Sequence, residues 1–219
     1  MEPEEFVREM DATLWKLLAV RDAERARLAE TAGKAAMTDL LKAALRAEMD
    51  AAEIAALWVP TTTEVDVKLA FARQAGDEAK HYMLIADRLR ELGVDLNGHD
   101  PQASGPNPLF LFLEGLSTSV ERVAAAQLTR EAIGYKSNEL FIAYCEEVGD
   151  TRTAAMYRDE IQPDEWLHHE WGKRLLATLA LNDSQQRSAR LAILTTLERT
   201  DELRSLAVGR LVVETLPGC

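Results

Sequence analysis

The chain has 219 residues, of which 47% are hydrophobic and 28% are charged, and its net charge is −12. This length and mixture fit one soluble domain with its own core, and the low content of glycine (11) and proline (7) favours helix. The acidic charge disfavours a nucleic-acid partner, and no apolar run approaches the roughly 20 residues that cross a bilayer.

Hydrophobic residues recur at helical spacing in seven segments, which are separated by glycine, proline or capping residues. The predicted helices span residues 4–32, 35–58, 64–92, 109–116, 118–148, 151–181 and 185–208. Within the sixth of these we expect an interruption or kink at Pro163. The glycines and prolines of residues 94–108 predict the longest connection in the chain.

This order of elements predicts an all-α fold, because no segment shows a strand pattern. Two long helical hairpins, 35–92 and 118–181, are joined by a longer crossover. The first and last helices flank them. We therefore expect a single domain over residues 1–219, with the two hairpins as its centre.

One short pattern occurs once in each hairpin, as Asp77-Glu78-Ala79-Lys80-His81 and as Asp164-Glu165-Trp166-Leu167-His168. Positions three apart lie on one face of a helix, so the glutamate and histidine of each copy can point at the same spot. Both pairs lie on mostly apolar stripes that are expected to face the core. Carboxylate oxygen and imidazole nitrogen are ligands for divalent transition metals, so the repeat predicts a metal site.

Hairpin geometry supplies two further carboxylates. In an antiparallel hairpin, two residues at equal distance from the turn lie at the same height. This rule places Glu48 level with Glu78 in the first hairpin, and Glu131 level with Glu165 in the second. The separations are 30 and 34 residues, and the difference of four is about one helical turn, which preserves the face.

Glu53 and Glu121 are the alternative carboxylates, but either would put the midpoint of its hairpin inside a helix. With the preferred set, four carboxylates carry −4 and two divalent cations carry +4 when both histidines are neutral. The predicted interior site then leaves no buried charge unpaired, provided that two metals bind.

The arrangement resembles the ferritin-like family of carboxylate-bridged di-iron and dimanganese proteins, in which two helices each give a Glu and two others each give a Glu-x-x-His. The resemblance covers about residues 35–181 and implies a four-helix bundle with extra terminal helices, about 4–32 and 185–208. It implies Glu78 and Glu165 as bridging ligands, and Glu48 and Glu131 as terminal ones. The full set of predicted ligands is Glu48, Glu78, His81, Glu131, Glu165 and His168.

Several neighbouring residues are candidates for supporting roles. Asp77 and Asp164 are expected to accept a hydrogen bond from the outer N–H of a ligand histidine, which would fix its tautomer. His169 is one turn beyond Glu165 and is an alternative to His168, although the repeat aligns His168 with His81. Tyr135, one turn beyond Glu131, is a core residue, a hydrogen-bond donor near the metals or a redox-active group.

The expected function is that of a di-iron oxidoreductase, in which two iron ions reduce dioxygen and the resulting oxidant acts on a small organic molecule. An electron donor is then needed as well. Manganese or a mixed manganese–iron pair is the alternative metal content. The alternative functions are dimanganese catalase chemistry on peroxide and non-catalytic iron storage.

The remaining expectations concern the setting. The acidic N-terminus carries no secretory signal, so we expect a cytoplasmic protein without a membrane partner. Apolar positions on the first helix suggest a homodimer. Cys145 and Cys219 show no metal or redox spacing, and Cys145 is expected in the core.

Overall fold

The computed structural model describes residues 1–29 and 36–208 and shows seven helices and no strand in these ranges. We number them in chain order. The first four are α1 (Pro3–Ala29), α2 (Met37–Trp58), α3 (Val65–Glu91) and the short α4 (Pro108–Glu114). The predicted end of the first helix near residue 32 lies outside the described residues.

Two longer helices follow, and each contains a π-helical segment. Helix α5 consists of Ser119–Val123, the π-helical Ala124–Arg130 and Glu131–Glu147, without a break. Helix α6 consists of Thr151–Met156, the π-helical Tyr157–Ile161 and Gln162–Leu179. The last helix, α7, spans Asp183–Val208.

The helix ends follow from local sequence. The side chain of Asn107 accepts a hydrogen bond from the Phe110 N–H, and Thr118 and Glu121 form a capping box at the start of α5. The turn between α5 and α6 contains Gly149 at φ +81°, a conformation that favours glycine. Residues between α3 and α4 form no helix, as predicted.

Of the two possibilities that the sequence left open at Pro163, an interruption of α6 is not seen, and a kink stays a prediction. Since proline has no N–H, it cannot donate to the carbonyl of Asp159 one turn earlier. The helix instead passes through the π-helical Tyr157–Ile161 and continues to Leu179. The irregularity is therefore a local change of winding, placed just before the second copy of the repeated pattern.

Two apolar clusters form the core. One joins the N-terminal parts of α3, α5 and α7 to α1, α4 and the C-terminal ends of α2 and α6. The other joins the opposite ends of α2, α3, α5 and α6, and it contains Cys145, which is fully buried as predicted. The residues of the predicted metal site lie between these clusters along α2, α3 and α6, whereas Glu131 of α5 lies beside Ala132 of the first cluster.

Helices α1 and α7 lie at the end of the molecule that contains the first apolar cluster. Helix α1 packs on α5 and α6, and α7 packs on α4 and α5. Leu17 and Val20 of α1 are 37% and 60% exposed. This exposure does not test the predicted dimer, which stays a prediction. None of the described helices combines the length and apolar character that crossing a bilayer requires.

A candidate metal centre between two apolar clusters

The fold brings the six predicted ligands together. Helix α2 contributes one glutamate, α3 a glutamate and a histidine, α5 one glutamate, and α6 a glutamate and a histidine. All six side chains are completely buried. They are Glu48, Glu78, His81, Glu131, Glu165 and His168.

The ligand atoms form two groups in which every atom lies within 4.8 Å of the others. The first group contains Glu48, Glu78, His81 and Glu165, and the second contains Glu78, Glu131 and His168. Glu78 belongs to both groups, which is the position of a bridging carboxylate. Glu165 falls in the first group only, so the bridging role that the resemblance implied for it stays a prediction.

Both histidines turn the same ring nitrogen inward. Nδ1 of His81 lies 3.2 Å from Glu78 and 3.6 Å from Glu48, and Nδ1 of His168 lies 3.0 Å from Glu131. The Nε2 atoms point away from the carboxylate cluster. Each histidine can therefore offer an Nδ1 lone pair to a cation, provided that its proton is carried by Nε2.

The two aspartates of the repeated pattern hold these Nε2 atoms. Asp164 Oδ2 lies 3.2 Å from Nε2 of His81, and Asp77 Oδ2 lies 3.2 Å from Nε2 of His168. Because a carboxylate can only accept, Nε2–H donates in both pairs, and Nδ1 is the ring nitrogen that faces the cluster. The expected partnership of aspartate and ligand histidine is thus seen, but each aspartate serves the histidine of the other copy.

A surface cation lies behind each aspartate. Arg73 Nε donates to both oxygens of Asp77 at 2.9 and 2.7 Å, and Lys80 Nζ donates to Asp164 at 2.7 Å. Both cations are substantially exposed, whereas the aspartates are mostly buried. These cations hold the aspartates in line with the histidines.

Sequence reasoning assigned no role to two further residues at the cluster. Gln74 Nε2 donates to Glu131 Oε1 at 2.7 Å, and its contact with Glu78 Oε1 is longer, at 3.4 Å. The buried Arg130 donates to the carbonyl of Ala47 and lies beside Glu131. Gln74 could have been found from the sequence, because it lies one turn before Glu78 on the same stripe. No such pattern in the sequence pointed to Arg130.

Burial and mutual repulsion make the carboxylates hard to ionise together. Burial raises the pKa of Glu48 to about 7. Burial, reinforced by the negative charge of Glu78, raises the pKa of Glu131. The pKa of Glu165 lies well above its usual value because of burial and the charges of Glu131 and Glu78. The site therefore holds excess negative potential that a cation would relieve.

The histidines compensate part of this negative potential. Burial opposes the charged form of His81, but the neighbouring carboxylates of Glu48 and Glu78 outweigh it and raise its pKa to about 12. The pKa of His168 is likewise raised, against burial, by Asp77 and Glu131. Burial also opposes ionisation of Glu78, yet its hydrogen bond to His81 and the charge of His168 lower its pKa to about 2. The protonated histidines thus supply positive charge that a bound metal ion would otherwise supply.

The surroundings of Glu48 indicate that the cluster fits a cation. Both oxygens of Glu48 are buried, and neither accepts a hydrogen bond from any residue in the described ranges. The nearest ring nitrogen, Nδ1 of His81, is 3.6 Å away. An unsatisfied buried carboxylate is costly, and a cation bound to it would supply what is lacking. The donor set therefore fits a divalent metal ion.

His169 is buried but turns away from the cluster. Its Nδ1 lies 2.8 Å from the carbonyl oxygen of Leu128 in the π-helical part of α5, and its Nε2 lies 3.0 Å from Asp11 of α1. Both ring nitrogens are engaged there. His169 thus fastens α1 and the π-helical segment to α6, and neither nitrogen is placed to serve as the alternative ligand.

Tyr135 lies at an aromatic contact on the same side as His169. Its ring is 5.4 Å from the ring of Trp166 and 6.2 Å from that of Trp15. Trp166 is 44% exposed. No contact of Tyr135 with a predicted ligand is seen, and its possible catalytic role stays a prediction.

The alternative carboxylates lie elsewhere. Glu53 is exposed and accepts a hydrogen bond from Gln102 of the crossover. Glu121 belongs to the capping box of α5. The equal-height rule therefore selected the glutamates that the tertiary structure brings to the cluster.

These features define an all-helical protein with a buried carboxylate–histidine cluster that is compatible with a di-iron site. The chain belongs to the family described as "Protein of unknown function (DUF455)", whose family model matches residues 7–200. That range contains both copies of the repeated pattern and all six predicted ligands. No curated protein and no solved structure gives a significant match.

Proposed function

We propose that this protein is a di-iron oxidoreductase that activates dioxygen for reaction with a small organic molecule. We further propose that α2, α3, α5 and α6 form a ferritin-like four-helix bundle around the metals. The single observation that supports this function best is the cluster of four buried glutamates and two histidine Nδ1 atoms in two overlapping groups. An iron pair, when bound, would supply the electrons that reduce dioxygen.

The protein's own residues have separable tasks in this proposal. Glu48, His81 and Glu165 would hold one ion, and Glu131 and His168 the other, with Glu78 shared between them. A mixed set of carboxylate oxygen and imidazole nitrogen suits iron or manganese. Four carboxylates and two neutral histidines balance two divalent cations in charge.

The surroundings of the cluster support redox chemistry of this kind. Asp77 and Asp164 would keep both histidines in the tautomer that offers Nδ1. Gln74 would orient Glu131 by donating to its Oε1. Because all six ligands are fully buried between two apolar clusters, bulk water would be excluded from the reacting groups.

Anaerobic loading with Fe(II), followed by admission of oxygen, tests the proposal. We expect about two iron ions per chain by metal analysis, and oxygen uptake in proportion to bound iron. Glu48→Gln and Glu131→Gln should each lose bound iron, because an amide cannot supply the negative charge that the cation needs. Glu53→Gln, at an exposed position on the same helix as Glu48, is the matched control and should bind normally.

Other outcomes identify the alternatives. Uptake of hundreds of iron ions per assembly would indicate storage and overturn the oxidoreductase proposal. Disproportionation of peroxide by the manganese-loaded protein, without oxygen uptake by the iron-loaded one, would indicate catalase chemistry. Equal iron binding by wild type, Glu48→Gln and Glu131→Gln would overturn the site itself.

A further inference from the structure

A groove lies between α3 and α6 on the outer side of the metal centre. It encloses about 490 Å³, a size within the range of small-molecule sites. Its wall has an apolar part and a charged part. The apolar part is formed by Leu69, Ala70, Trp171 and Leu175. The charged part is formed by Arg73, Arg174 and, toward the beginning of α3, Asp66.

The apolar part of the groove faces solvent. Leu69 is 62% exposed, and Val65 one turn earlier is 67% exposed. Exposed aliphatic side chains are ordinary when scattered singly, but a contiguous set beside an indole ring in a concave surface marks a contact site. The wall formed by Leu69, Ala70 and Leu175 can therefore bury the apolar body of a ligand.

The two arginines give the groove a positive end in a chain of net charge −12. Arg174 is exposed and has no hydrogen-bond or ion-pair partner within the described part of the chain. Arg73 uses Nε to hold Asp77, which leaves its two terminal nitrogens for another acceptor. Guanidinium groups with open donors are suited to a carboxylate, which they can bind through paired hydrogen bonds.

The register of the helices places these groups in order along the groove. His168 lies opposite Asp77, so in the antiparallel pair Arg174 falls near the level of Arg73. Asp66 lies seven residues before Arg73, about 10 Å along the helix at 1.5 Å per residue. An occupant with its charge at the arginines therefore has, for its body, the part of this 10 Å that contains Leu69 and Ala70, before Asp66 is reached.

We propose that this groove binds a small organic carboxylate with an unbranched or aromatic apolar body. The carboxylate contacts Arg73 and Arg174, and the apolar body lies on Leu69 and Leu175, toward the beginning of α3. This binding site does not depend on the proposed function. The position of the groove is nevertheless relevant to the proposed function. The ring of Trp171 lies 5.7 Å from the ring of His168, so only one side chain separates the groove from the metal centre.

Isothermal titration calorimetry of the full-length protein with octanoate tests the proposal, with octan-1-ol and octylamine as probes of equal chain length. We expect saturable binding of octanoate at one site per chain, and much weaker binding of the other two. Equal affinity for octan-1-ol would overturn the role of the arginines. Absence of saturable octanoate binding up to about 10 mM, the limit of weak specific association, would overturn the site.

Two variants with matched controls locate the binding. Arg174→Gln should weaken octanoate binding about threefold or more, as loss of one exposed charge contact does, whereas Arg8→Gln on α1 should not change it. Leu69→Asp should abolish binding, whereas Leu191→Asp, at a similarly exposed leucine of α7, should not. Both groove positions are exposed, so the folded state should persist, and circular dichroism checks this.

The remaining outcomes separate this proposal from others. Binding that is unchanged in Arg174→Gln and Leu69→Asp would overturn the groove as the site. A dimer of the wild type that dissociates in Leu69→Asp would show that a second copy covers the groove, which also overturns the proposal. Octanoate binding that persists in Glu48→Gln, even if that variant and the wild type bind no iron, would support the groove while the proposed function fails.

Discussion

Asp77 of one copy of the repeated pattern contacts His168 of the other copy, with Oδ2 3.2 Å from Nε2. The reciprocal contact joins Asp164 to His81 at the same distance. Each aspartate therefore ties α3 to α6 across the cluster, and each contacts the histidine of the other copy rather than that of its own. The two halves of the site are coupled through these crossed pairs.

Asp77→Ala should weaken binding of a divalent metal such as Co(II) by about 10–100-fold, the usual effect of removing a group that orients a ligand histidine. The fold should persist, because Asp77 lies at the edge of the buried layer. Competition with a metallochromic chelator gives the affinity. Asp87→Ala, on the same helix at a position whose side chain is 72% exposed, is the control. Equal affinities in the two variants would contradict the role of Asp77.

Gly172→Ala should destabilise the protein. A Cβ at this position would lie 2.6 Å from the carbonyl carbon of Gln127 in the π-helical segment of α5, so backbone must move. We expect a loss of about 1–3 kcal/mol or more in the free energy of unfolding, typical of overpacking. Gly76→Ala is the matched control, because no atom lies within 4 Å of its added Cβ. Since alanine stabilises a helix interior by about 0.5–1 kcal/mol, Gly76→Ala should be stabilising. Urea denaturation measures both, and similar effects would refute the close approach.

Metal affinity should rise with pH. In the metal-free protein the pKa of His81 is raised to about 12, so its imidazole is protonated at neutral pH and a metal must displace that proton. The pKa of Glu48 is raised to about 7 by burial, so a second proton is displaced below that pH. The apparent association constant should increase about tenfold per pH unit for each displaced proton, more steeply below pH 7. Calorimetry in buffers of different ionisation enthalpy counts the protons, and binding without proton release would contradict this electrostatic picture.

Asp11→Ala should destabilise the fold while leaving metal binding intact. Burial opposes ionisation of Asp11, but His169 and Lys173 outweigh it and lower the pKa of Asp11. Removing this carboxylate leaves the buried His169 without its Nε2 partner, which costs about 1–3 kcal/mol. Glu9→Ala removes an exposed ion pair with Arg190 and should cost less than about 1 kcal/mol. Urea denaturation compares the two variants. A loss of bound metal in Asp11→Ala would show that His169 acts on the cluster after all.

Much of the site followed from helical periodicity. The three-residue spacing of Glu78 and His81 puts both side chains on one face, whatever else the chain does. The fixed rise of a helix then made the height of Glu48 and Glu131 calculable from the turns. The π-helical segments were not predictable in this way. The one in α5 lies against α6, where His169 donates to the carbonyl of Leu128 and Gln127 approaches Gly172.

The sequence by itself determined which side chains would be buried on the helices and which six of them had metal-ligand chemistry, because periodicity and hairpin length are local properties. Only the tertiary structure decided which partners those side chains meet. The pairing of Asp77 with His168 and of Asp164 with His81 depends on how α3 lies against α6, and no spacing within one helix encodes that. The same packing decides that His169 serves α1 rather than the cluster. It also opens a groove, beside Trp171, that no stripe of residues on a single helix could reveal.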